Sequence, residues 1–67
     1  MENPAYPDVQ VRLSGQDGNA HNVIGLVARA LREAGHREAA TEFAENALKS
    51  GSYDELLQLA LRTVSVS

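Results

Sequence analysis

Val9, Val11 and Leu13 alternate with Gln10 and Arg12. A period of two predicts a half-buried strand, which Ser14 and Gly15 end. The spacing then changes. Val23, Val27, Ala30, Leu31 and Ala34 recur at helical intervals, with Ile24 widening the stripe, and predict a helix over 20–34. Asn19 or Asp17 is placed to cap its start, and Gly35 to close its end. Gly25 interrupts this helix at a cost of up to about 1 kcal/mol relative to Ala. Such a cost fits close approach of another helix or of a ligand.

A second helix is predicted over 37–49, with Ala40, Phe43, Ala44, Ala47 and Leu48 on its apolar stripe. Phe43, the only Phe, is expected to be a core anchor. Glu38, Glu42, Glu45 and Lys49 occupy the other face, where Glu45 and Lys49 have the spacing of a favourable pair. Ser50 and Gly51 end this helix. Ser52 and Glu55 then form the Ser-x-x-Glu signature of a capping box, and Asp54 suits the positive end of the helix dipole. Tyr53, Leu56, Leu57, Ala60, Leu61 and Val64 are the expected core positions of this third helix. Leu59 lies off that stripe and is expected at a subunit contact. Residues 62–67 alternate again, and Thr63, Val64 and Val66 favour a strand.

The predicted order is strand, three helices, strand, which is an α+β domain. A lone strand leaves its backbone unsatisfied, so the terminal strands are expected to form a small sheet, completed within or between subunits. Residues 9–67 form this single compact domain. Residues 1–8 precede it as an extended arm containing Pro4 and Pro7, with Tyr6 anchoring the arm to the body or to a neighbouring subunit.

Size changes this picture. A chain of 67 residues buries only about 60% of its unfolded surface, and folds of this size usually rely on disulfides, a metal or a partner. There is no Cys, and the two histidines, His21 and His36, lack the spacing of a metal site. Self-association is the remaining route, so a homo-oligomer is expected. The formal charge of −3 argues against binding a nucleic-acid polymer through its phosphates. No apolar run reaches the roughly 20 residues that span a bilayer, so no membrane partner is expected. No signal peptide is evident, which makes the expected location cytoplasmic.

The richest candidate chemistry lies where the first strand hands over to the first helix. Asp17, Gly18, Asn19, His21 and Asn22 cluster there. Free backbone N–H groups at such a junction hold anions, although the same residues also serve as ordinary turn and capping chemistry. Asn22, Gly25, Arg29 and Arg32 follow at intervals of three and four, forming one polar strip along the helix. Arg29 and Arg32 suit bidentate contacts to phosphate. The alternative is that they are solvated or pair with Glu33 and the acids of the second helix. Asp17 repels a bare phosphate and suits a ribose hydroxyl or a base edge better. No nucleophile elbow, P-loop or zinc-protease motif is present, and no cofactor is implied. Asp17 and His21 are one helical turn apart with Ser14 nearby, but so small a chain has little interior for a shaped catalytic pocket. The expectation is therefore a protein without enzymatic activity.

The run Val11-Arg12-Leu13-Ser14-Gly15-Gln16-Asp17-Gly18-Asn19-Ala20, followed by Gly51-Ser52-Tyr53-Asp54-Glu55-Leu56-Leu57, resembles a family of short uncharacterised proteins from bacterial and phage genomes. Its members share a G-x-D-G-N-A turn and a later G-x-Y-D-x-L-L helix start. An aromatic commonly follows the Ala in that family, where this chain has His21. The resemblance covers nearly all of the chain after the arm. A phage setting implies one role by analogy, the sequestering of a nucleotide signal of bacterial immunity. The leading expectation is thus an oligomeric protein that binds an anionic or nucleotide-like ligand at the strand-to-helix turn. The alternative is an adaptor or inhibitor that meets a protein partner through its helical surface.

Overall fold

The computed structural model describes residues 4–13 and 19–66. The elements run β1 (Tyr6–Val11), α1 (Ala20–Glu33), α2 (Arg37–Leu48), α3 (Tyr53–Thr63) and β2 (Val64–Val66), an α+β architecture. The two strands pair with each other in parallel. Parallel strands cannot be joined by a tight hairpin, and here the three helices make the crossover between them.

The register sets Tyr6 against Val64, Gln10 against Ser65 and Val11 against Val66, with an irregularity in β1 between Tyr6 and Gln10. β1 therefore takes in Tyr6, Pro7 and Asp8, which the sequence pattern assigns to the arm. The reason is local pairing. The Ala5 amide donates to the Arg62 carbonyl at 2.9 Å and brings the chain alongside the end of α3. Pro7 lacks a ladder donor, and it falls in the irregular stretch where none is needed. Leu13 lies beyond the strand and packs, partly buried, against the core. The strand ending at Ser14 and Gly15 lies outside the described residues.

Local chemistry explains the helix ends. Asn19 caps α1, its side-chain oxygen accepting from the His21 and Asn22 amides. The alternative cap, Asp17, lies outside the described residues. At the other end Gly35 adopts φ +91°, the left-handed conformation that favours glycine. The His36 amide donates to the Leu31 carbonyl at 2.8 Å and the Gly35 amide to the Arg32 carbonyl at 3.0 Å. These two bonds are the paired closure of a Schellman motif. At α3 the Glu55 amide donates to Ser52 Oγ at 3.2 Å. The return contact differs from the simple box, because Glu55 Oε2 accepts from the Gly51 amide at 2.9 Å rather than from Ser52.

Ser52→Ala should accordingly cost about 0.5–2 kcal/mol in chemical denaturation. Glu55→Ala should cost less, since Ser52 keeps its own bond. No loss at Ser52 would mean that this cap contributes nothing to stability.

Val23, Val27, Leu31, Phe43, Leu56 and Val64 form the centre of the core, closed from the sheet side by Val9 and Val11. Several edges differ from the sequence pattern. Ala28 is buried, one turn beyond the half-buried Ile24 on the same flank of α1, whereas Ala34 is exposed at the C-cap. Leu48 ends α2 and is 70% exposed. Leu59 and Leu61 exchange their expected places. Leu59 packs partly buried against the core, while Leu61 is 50% exposed. The buried arc of α3 runs through Leu56 and Ala60, and it extends toward Leu59 rather than Leu61. The expected Glu45–Lys49 pair is not formed. Among the described residues Arg29 pairs with Glu33, and His36 Nε2 lies 3.5 Å from Asp8 Oδ2.

Candidate functional site on the outer face of α1

The buried stripe of α1 turns its opposite side to solvent, and most of the polar strip lies there. His21, Asn22, Gly25, Leu26 and Arg29 line one shallow depression of about 450 Å³. Gly25 is exposed, and a Cβ built on it meets nothing within 4 Å. No other element of the described chain approaches this glycine closely. The close helix packing that would explain it is therefore absent within the described residues, and its missing side chain leaves a saddle in the helix surface.

Arg29 forms one wall of the depression. Its Nε lies 3.3 Å from Glu33 Oε2, with the two side chains 74% and 67% exposed. An exposed pair of this kind contributes about 0–1 kcal/mol, so Arg29 is easily recruited by another anion. Arg32 is exposed two turns beyond Gly25 on the same side of the helix and does not line the depression. Asn19 is committed to its cap, accepting from the His21 amide at 3.0 Å and the Asn22 amide at 3.4 Å. Two of the N–H groups that a junction of this kind offers to an anion are thus already used by the chain. Asp17 and Gly18 lie outside the described residues.

Leu26 is the residue that sequence reasoning missed. It is 37% exposed and borders both this depression and a second one of about 290 Å³, which Gln10, Val11, Arg12, Ala30 and Glu33 also line. The available signal was a large apolar residue off the buried stripe, next to the helix glycine. The two hollows share Leu26 and Arg29 and form one surface from the start of α1 to β1.

A separate cleft of about 250 Å³ lies between α2, α3 and the start of β1, and Tyr6, Ala39, Phe43 and Leu59 line it. Tyr6 anchors the chain here as expected. Its ring lies 4.6 Å from that of His36, tilted by 42°, and His36 Nε2 is 3.5 Å from Asp8 Oδ2. This cluster ties β1 to the start of α2. Among the described residues no group of three His, Asp or Glu side chains is placed to hold a metal ion. No helix among them is long and apolar enough to cross a membrane.

No protein-family model, curated protein or solved structure matches the chain.

Proposed function

We propose that this chain is a non-enzymatic binding protein that takes a small anionic, nucleotide-like ligand over the Gly25 saddle of α1. The observation that carries this reading is Gly25 itself. It weakens the helix by up to about 1 kcal/mol relative to Ala, yet a Cβ built on it would meet nothing within 4 Å beyond its own stretch of helix backbone. A ligand seated against the helix backbone gives that position a purpose. Asn22 offers an amide, His21 an imidazole and Leu26 an apolar edge, all around the same floor. Arg29 supplies the charge, leaving Glu33 to bond the ligand instead. Holding the ligand, rather than turning it over, makes the role one of sequestration, in keeping with the resemblance to short proteins from bacterial and phage genomes.

A screen of linear and cyclic nucleotides by thermal shift, followed by calorimetry, tests the reading with two variants. Gly25→Ala should raise the stability of the free protein by up to about 1 kcal/mol and weaken binding, because the added methyl group fills the saddle. Arg29→Ala should leave the fold intact and cost about 1.5–3 kcal/mol of binding, roughly tenfold or more in affinity. If no nucleotide shifts the wild-type midpoint at millimolar concentration, the ligand reading fails. An adaptor that binds a protein through its helices then takes its place. That second reading is favoured by the exposure of Leu48 and Leu61 and by the solvent-facing acids Glu38, Glu42 and Glu45 on α2.

A further inference from the structure

Resting on the ligand reading above, we infer that the ligand of α1 is a linear dinucleotide. Its linking phosphate sits at Arg29, with one nucleoside in each of two adjoining hollows. The first hollow is the depression over Gly25, of about 450 Å³. The second, of about 290 Å³, continues it toward β1. Leu26 and Arg29 line both hollows and stand between them.

The two hollows are furnished alike. Each has a small residue in its wall, Gly25 in the first and Ala30 in the second. Each has one carboxamide, from Asn22 in the first and from Gln10 in the second. Each also has one flat, nitrogen-rich group, the His21 imidazole in the first and the Arg12 guanidinium in the second. Unstacked bases lie against His rings and Arg planes, and their edges take hydrogen bonds from polar side chains. His21, Asn22, Gln10 and Arg12 are all exposed in the single chain, so each is open to a ligand. Two like compartments that share one cation fit two like halves joined by one anion.

The charges favour a phosphodiester over a terminal phosphate. In the second hollow Arg12 and Arg29 stand against one carboxylate, Glu33, which leaves a single positive charge in excess. A phosphodiester brings a single negative charge, whereas a terminal phosphate carries about 1.5–2 at pH 7. Glu33 holds Arg29 only by an exposed contact of 3.3 Å, so a phosphate displaces it readily. An ionised Glu33 then accepts hydrogen bonds and donates none. It repels the phosphate oxygens and needs a donor on their far side. A mononucleotide whose phosphate ends at Arg29 has no donor to offer there. The hydroxyl groups of a second ribose supply it.

Calorimetry on the full chain tests this with linear ribodinucleoside monophosphates of every base combination and with the matching mononucleotides. The tightest dinucleotide should bind about tenfold or more tighter than either of its mononucleotides. Arg29→Ala should weaken both kinds of ligand about tenfold or more, because Arg29 lines both hollows. Arg12→Ala should weaken the dinucleotide about tenfold and leave the mononucleotides unchanged. Gln10→Ala should act in the same direction by about fivefold. In nitrogen-15 spectra the amide signals of Gln10, Val11 and Arg12 should move with the dinucleotide and stay still with its mononucleotides. Circular dichroism checks the fold of each variant, and Gln10→Ala decides in place of Arg12→Ala should the latter unfold. Mononucleotides that bind as tightly as the dinucleotide overturn the inference and leave the site over Gly25 standing. A dinucleotide affinity that Arg12→Ala leaves unchanged does the same. If neither kind of ligand binds at millimolar concentration, the ligand reading itself fails, and the dinucleotide with it.

Discussion

Phe43→Ala should remove about 3–5 kcal/mol of stability. The ring is 3% exposed and lies on the same face of α2 as the buried Ala40 and Ala47. These small neighbours leave the ring as the main volume that α2 contributes to the core. They are methyl groups on a helix backbone and have little reach into a cavity, so the site cannot collapse around an alanine. A domain of this length holds roughly 3–10 kcal/mol in total, at the usual value per residue. The variant should therefore be partly unfolded at room temperature, or unfold at much lower urea than the wild type. Near-normal stability would mean that the ring is not part of the core.

Leu31→Ala should cost about 2–5 kcal/mol. Leu31 is fully buried on α1, and no larger side chain of the core is more completely enclosed. Its carbonyl also accepts the His36 amide that closes the helix, but that bond is made by the backbone and survives the substitution. The loss should thus appear as a lower urea midpoint with an unchanged slope, the mark of a native state that still folds. Leu48→Ala supplies the control. With Leu48 70% exposed at the end of α2, its truncation should stay within about 0.5 kcal/mol of wild type. An equal loss at Leu31 and Leu48 would contradict the division between core and surface.

Features that depend on a few neighbouring residues were legible in the sequence. Asn19, Gly35 and Ser52 each act within one turn of their own position, and each has the role its residue type suggests. Phe43 was equally plain, as one large ring on a stripe of alanines. What the pattern left out is where a stripe ends, because neighbouring elements decide that. Leu59 and Leu61 lie on opposite sides of Leu56 and Ala60; Leu59 is covered where the cleft with α2 is formed, whereas on the other side the partly buried arc stops at Leu57 and leaves Leu61 exposed. Nothing within α3 announces that choice. The early start of β1 has the same origin, since Tyr6 joins the sheet by pairing with Val64 at the far end of the chain.

The site divides along the same line. Asn22, Gly25 and Arg29 fall together because helical spacing alone puts them on one side of α1. The Arg29–Glu33 pair was present in the sequence as an alternative to ligand binding, and the structure makes that pair at the surface. Leu26 stands off the buried stripe in the sequence, but the second hollow it borders exists only because β1 lies beside α1.

A nitrogen-15 NMR titration of the wild-type chain with nucleotides tests ligand binding at the Gly25 saddle most directly, because it reads affinity and location together. The amide signals of His21, Asn22, Gly25, Leu26 and Arg29 should move in a saturable way, and those around Phe43 and Leu59 should stay in place. Gly25→Ala should shift the movement to higher nucleotide concentration without disturbing the rest of the spectrum. Signals that remain still for every nucleotide, or that move only around the cleft of Tyr6, Phe43 and Leu59, would contradict the proposed site.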